Sequence, residues 1–235
     1  MANAATSDPK TEPPHHAGHR ERLRERALNG GLGALADYET LELYLFRTFP
    51  RGDVKPLAKR LIARFGSLGG VLAASVRELQ TVPGVGEAAA LDLKLVHELT
   101  QRIALQSFQK RPIISSWSAL LAYVKVALAQ EAREQFRVLF LDKKNQLIAD
   151  EVMNHGTVDH APVYPREIVR RGLELSASAL ILVHNHPSGD PTPSQPDIDM
   201  TKEIVEAGRS LKIAVHDHLV VGRDGVASFK ALGLL

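Results

Sequence analysis

The segment His184-Asn-His186-Pro-Ser-Gly-Asp-Pro-Thr-Pro-Ser194-Gln-Pro-Asp197 constrains this chain more than any other. It sets two imidazoles two positions apart, directly after the apolar run Ala179–Val183, which reads as a buried strand. In an extended segment, residues i and i+2 point to one face, so His184 and His186 share a side. A Pro- and Gly-rich loop follows, then a carboxylate, Asp197. Proline stiffens such a loop, so Asp197 returns to the imidazoles at low entropic cost. Two neutral imidazoles and one carboxylate are a common ligand set for catalytic zinc, with a fourth position left for water.

Asp190 and Asp199 compete with Asp197 for the carboxylate role. Asp190 sits in Ser-Gly-Asp-Pro, a turn composition in which the side chain caps the backbone. Ser194-x-x-Asp197 also has the form of a capping box at a helix start. The two readings are compatible, since a helix N-terminus helps to hold Asp197 ionised. A second His-x-His, His216-Asp-His218, lies on the expected last strand without a loop or distal carboxylate, so it reads as a support and not as a ligand pair.

A metal-activated water needs a proton acceptor, and Glu151 is the candidate. In Leu147-Ile-Ala-Asp-Glu-Val-Met153, strand alternation puts Leu147, Ala149, Glu151 and Met153 on one face. A carboxylate among apolar neighbours is out of place unless paired or functional. Burial is expected to raise its pKa toward the range of a general base. Glu167 and Glu174 are explained by a polar helix face.

These residues match a known pattern. His-x-His-Pro, six residues, Ser, two residues and Asp resembles the signature of the JAMM (MPN-type) metallopeptidases, with His184, His186, Pro187, Ser194 and Asp197 on it. The variant HNHPSGDPTPS, followed by Ile198, Asp199 and Thr201, resembles the RadC-like bacterial branch, which carries Asn, as at Asn185, where many JAMM peptidases have Ser or Thr. The resemblance implies Zn2+ held by His184, His186 and Asp197. It implies Glu151 from an early strand as the base and Ser194 as a donor to the tetrahedral intermediate. The implied substrate is a peptide or isopeptide bond.

The rest of the chain divides by composition. Residues 1–17 lack periodicity and read as a disordered tail, so His15 and His16 are not taken as a metal site. Residues 18–106 have a helical pattern, with an Asp37 N-cap expected on a helix over 37–46 and another helix over 54–65 that ends at Gly66. Val82-Pro-Gly-Val-Gly86, before Glu87, resembles the hairpin of a helix-hairpin-helix DNA-binding module. Gly84 and Gly86 permit a tight turn whose amides hold a phosphate oxygen. Glu87, Ala88 and Ala89 stand where such hairpins often carry Lys or Arg, so DNA binding through residues 82–92 is expected to be weak and non-specific.

The polar stretch Gln106–Pro112 marks the boundary, and 113–235 mixes strands and helices. The expected fold is α+β: a small helical, helix-hairpin-helix-like domain, then an MPN/JAMM-type domain with a mixed sheet flanked by helices.

Composition narrows the function classes. With no Cys, disulfide scaffolds and thiolate metal sites are excluded. No apolar run approaches the roughly 18 residues of a membrane span. No signal peptide is visible, and a cytoplasmic location is the expectation. Residues 1–112 hold 16 Lys+Arg against 12 Asp+Glu, and residues 113–235 hold 13 against 15. The basic front half suits a phosphate-bearing partner. The competing readings to a zinc peptidase are a DNA-associated repair or recombination accessory protein, in which the metal is structural, and a zinc-dependent nuclease.

Overall fold

The computed structural model describes residues 18–106, 112–155 and 163–235. The expected tail, residues 1–17, and the linker residues 107–111 lie outside the described residues. The chain forms two compact units, Met1–Val71 with Arg77–Asp92, and Leu72–Val76 with Leu93–Leu235. No helix among the described residues is long and apolar enough to cross a membrane.

The first unit is helical: α1 (His19–Gly30), α2 (Asp37–Leu45), α3 (Lys55–Phe65), most of α4 (Leu68–Ala73), α5 (Val76–Gln80) and the start of α6 (Glu87–Gln106). Apolar residues at helical spacing, Leu41 and Leu45 of α2 and Leu57, Ala58 and Leu61 of α3, are buried, as are Leu79, Val82 and Val85. Asp37 is the first residue of α2 and not its cap; the cap position is Ala36. The helix start is closed from inside instead, by Glu39, whose carboxylate accepts the Ala36 N–H at 3.1 Å and pairs with Arg26 of α1. α4 was not expected from the sequence, because Gly69-Gly70 reads as a breaker.

The expected hairpin forms between α5 and α6. Val85 N–H donates to Val82 O at 3.0 Å, and Gly84 has φ +96°, the left-handed conformation that favours glycine. Gly86 is outside that region, so Gly84 alone carries the conformational demand of the turn. Arg60 of α3 donates to the Pro83 carbonyl at 3.1 Å.

The second unit is built on one mixed sheet in the order β2-β1-β3-β4-β5, from β1 (Gln135–Leu141), β2 (Leu147–His155), β3 (Ala179–Asn185), β4 (Ala214–Val221) and β5 (Val226–Ser228). Among the described residues only β3 and β4 pair in parallel. Parallel neighbours need a crossover, which α9 (Gln195–Arg209) supplies. α7 (Trp117–Leu128) covers one face, where Leu120, Val124 and Leu128 pack on Leu139, Ile181 and Leu219. α8 (Pro165–Glu174) and α9 cover the other, where Ile168 and Ile204 pack on Phe136, Val138 and Leu182. Burial on both faces explains why β3 reads as a continuous apolar run and not as an alternation.

Two details differ from the sequence expectation. β3 runs two residues further than Ala179–Val183, so His184 lies within the strand. In β2, Ala149 and Met153 pack toward α8 and α9, but Leu147 packs on the α7 side. A register irregularity at Phe140/Leu141 of β1 breaks the alternation there.

Candidate metal centre

The site forms where the parallel pair ends and α9 begins. β3 carries Leu180, Leu182 and His184 on the face toward α8 and α9, and His186 follows just past the strand end. The loop after it is held tightly: a Cβ on Gly222 would sit 2.0 Å from the Gly189 carbonyl oxygen, so only glycine lets the β4 end approach. Ser194 caps α9, and Asp197 is its third residue.

The capping box forms. The Ser194 hydroxyl and N–H both donate to Asp197 Oδ2, at 2.6 and 2.7 Å, and Asp197 N–H donates to Ser194 Oγ at 3.3 Å. These bonds orient the carboxylate toward the imidazoles. His184 Nε2 lies 3.2 Å from Asp197 Oδ1, His186 Nε2 lies 3.4 Å from Oδ2, and the two Nε2 atoms are 3.0 Å apart. One donor atom from each residue falls within 4.8 Å of the others. Asp190 and Asp199 are outside this cluster. Asp190 Oδ1 accepts from the N–H and hydroxyl of Thr192, and Asp199 pairs with Gln195.

The groups behind the imidazoles determine which nitrogen faces the cluster. His186 Nδ1–H donates to the Asp190 carbonyl at 2.9 Å, so its Nε2 turns a lone pair inward in the neutral ring. His184 is set by a relay. The Thr201 hydroxyl donates to the Asp197 carbonyl at 2.6 Å and therefore accepts from His218 Nδ1 at 2.6 Å. His218 Nε2 is then an acceptor for His184 Nδ1–H at 2.7 Å, which leaves a lone pair on His184 Nε2. Burial pushes the His218 pKa well below the ordinary histidine value and keeps that ring neutral.

Two inward lone pairs and a carboxylate therefore converge on one point. Burial raises the Asp197 pKa, but hydrogen bonds from Ser194, and from His184 and His186 when a proton occupies their Nε2 atoms, outweigh it and hold the group well below the usual carboxylate range. Asp197 in turn raises the His186 pKa against burial. A proton and a cation thus compete for the same place. The donor set is imidazole and carboxylate without thiolate, which suits a divalent ion with open positions.

Residues 114–234 match the family described as the RadC-like JAB domain, about half of the chain. The chain belongs to that family. Residues 15–91 of this RadC-like chain match a second family description, UPF0758 N-terminal. The resemblance read from His184 to Thr201 is therefore shown, and the helical region followed by a mixed sheet flanked by helices is the α+β arrangement expected of it.

Glu151 of the RadC-like chain is not drawn into the cluster. It shares a sheet face with His184 but lies in the row of Val138 and Leu182, whereas His184 is in the row of Phe136 and Asn154. Strand spacing puts its Cα roughly 12 Å from that of His184. Its carboxylate forms a two-point pair with Arg171 of α8, at 2.6 and 2.8 Å. The expected upward pKa shift is thereby corrected: the Arg171 hydrogen bonds outweigh the burial and lower the pKa.

Three contributors were not legible beforehand. Thr201 acts through a tertiary contact with His218, and the Asp190 carbonyl through the fold of the loop that returns it to His186. Asn185, buried on the opposite face, accepts from Gln135 N–H at 2.8 Å and donates to the carbonyls of Arg133 and Glu131 at 3.1 and 3.3 Å. Its place between two inward histidines is the one available signal, since alternation points it away from them.

Proposed function

We propose that this RadC-like chain is a zinc-dependent hydrolase of peptide or isopeptide bonds, with zinc held by His184, His186 and Asp197. The convergence of two tautomer-set imidazoles and an ionised carboxylate carries the proposal. A helix N-terminus beneath Asp197 adds to it, since the helix dipole favours the ionised carboxylate there.

The bound ion would supply Lewis acidity and an acidified water. The chain's own residues do the rest. Glu151 is ionised at neutral pH beside Arg171 and accepts the water proton, then returns it to the leaving amine. This requires the carboxylate to leave Arg171 as the substrate seats. Ser194 is exposed at the start of α9, and its hydroxyl turns from Asp197 Oδ2 to the carbonyl oxygen as negative charge develops there. His218 and Thr201 keep His184 in its ligating tautomer throughout.

The test is turnover by the full-length protein after zinc loading, on peptide, isopeptide and phosphodiester substrates in parallel. Chelator-sensitive cleavage of an amide, absent in His186→Ala, supports the proposal. Cleavage of the phosphodiester alone makes the chain a nuclease. Zinc binding with no turnover on any substrate leaves the metal a structural role.

A second reading concerns the first unit. The α5–α6 hairpin, with Gly84 in the left-handed conformation, leads directly into the start of α6, and backbone amides at a helix start hold phosphate. It supports weak, sequence-independent DNA binding through residues 82–92. Glu87 in the first turn opposes it.

A further inference from the structure

The face of the sheet opposite the metal centre carries a cavity of about 450 Å³ between α7 and the β3–β4–β5 end of the sheet. Its apolar wall includes Ile113, Trp117 and Ile181, and its polar side includes His216, Ser228 and Lys230. We propose that this cavity binds a small planar aromatic carboxylate, with the ring against Trp117 and the acid group at Lys230.

Three independent features lead there. The first is a bulge in β4: Leu180 pairs with Val215, but the next residue, Ile181, pairs with Asp217. Val215 packs toward α9, and so does His218, which contacts His184. The two residues between them, His216 and Asp217, therefore both turn to the cavity face. An unbroken strand would have shown that face only one of them, and bulges re-aim side chains in this way beside binding sites.

The second is the charge inventory. Asp217 is buried, and its carboxylate is committed to three donors, the N–H of His218 at 2.8 Å, the N–H of Lys230 at 3.0 Å and the Ser228 hydroxyl at 2.6 Å. Lys230 is exposed, and no carboxylate of the described residues pairs with its ammonium. The cavity mouth therefore has a cation available. The third is His216, whose ring bonds Asn145 Oδ1 through Nε2 at 2.7 Å. Burial and the nearby Lys230 lower its pKa, so it adds an acceptor and no second positive charge.

Together these features define the ligand. An apolar wall with an aromatic ring and one cation suits an aromatic body with one negative charge. A dianion such as a phosphate monoester is disfavoured, because among the described residues lining the cavity a single ammonium faces it and the buried Asp217 carboxylate lies in the wall.

Trp117 is the only tryptophan, so its indole N–H gives one resolved reporter signal. The test is a ¹H–¹⁵N titration of the full-length protein with 2-naphthoate and with its neutral isostere 2-naphthamide. A saturable shift of the indole signal by naphthoate is expected, with the amide weaker by roughly five- to tenfold, as one partly exposed ion pair allows. Lys230→Met, an exposed position, should weaken naphthoate by a similar factor and leave the amide within about twofold. The same spectra report whether the variant is folded, and Lys230→Gln serves if it is not. An indole signal that stays put or never saturates overturns the proposal, as does equal binding of acid and amide.

Discussion

His218 Nε2 accepts a hydrogen bond from His184 Nδ1 at 2.7 Å, and this contact between two fully buried rings leaves the His184 Nε2 lone pair facing His186 and Asp197. Supporting partners of this kind are worth about 10- to 100-fold in metal affinity. His218→Ala is expected to weaken zinc binding by about that factor, read by competition with a chromogenic chelator. Thr201→Val should weaken it too, because the relay loses its acceptor, while Thr201→Ser restores it. Equal affinity in Thr201→Val and wild type would show that the relay does not set the tautomer.

The full-length protein is expected to take up about one zinc per chain, by elemental analysis after dialysis. A His184→Ala, His186→Ala double variant should carry none. Full occupancy in that variant would remove the assignment altogether.

Glu151→Gln is expected to keep zinc and to lose turnover; loss of zinc instead would make Glu151 a ligand. Arg171 gives this carboxylate a pH signature. Because Arg171 lowers the Glu151 pKa, the base stays ionised below the ordinary glutamate range and is lost only as pH falls through the lowered value. Arg171→Met lets the pKa rise. The acid limb of its pH–rate profile should therefore move to higher pH, and an unmoved limb would detach Glu151 from the proton transfer.

Arg137 and Asp150 pair at 3.0 Å on the α7 side of the sheet, at 18% and 5% exposure, with the Tyr123 hydroxyl on the same carboxylate. Asp150→Ala leaves a largely buried guanidinium without its partner. The expected cost is about 3 kcal/mol in urea unfolding. A change below about 0.5 kcal/mol, the range of ordinary surface substitutions, would show that the pair is effectively solvated.

DNA binding by the full chain, followed by fluorescence anisotropy, should be weak and should fall steeply between about 50 and 200 mM salt. Gly84→Pro should remove it, since proline cannot adopt the positive φ found there. Absence of binding at low salt, or binding untouched by the substitution, makes the hairpin purely structural.

The sequence by itself determined which side chains meet at the candidate site. His184 and His186 share a face because strands alternate, and Ser194 and Asp197 sit at a helix start because their spacing is that of a capping box. Apart from α4 and the short closing strand β5, the order of strands and helices followed from the same local rules, as did the hairpin at Gly84 and the family. What the tertiary structure alone decided lies in contacts between distant segments. Arg171 is twenty residues from Glu151, and only the packing of α8 on β2 reverses the pKa shift that burial alone implies. The irregularity in β1 moves Leu147 to the opposite face, and the bulge in β4 turns His216 away from His218. Alternation is a property of one strand, whereas register belongs to a pair, so no single-strand pattern carries it. The His184–His218–Thr201 relay is decided in the same way, since hydrogen bonds that set a tautomer join side chains from β3, β4 and α9, which meet only in the folded chain.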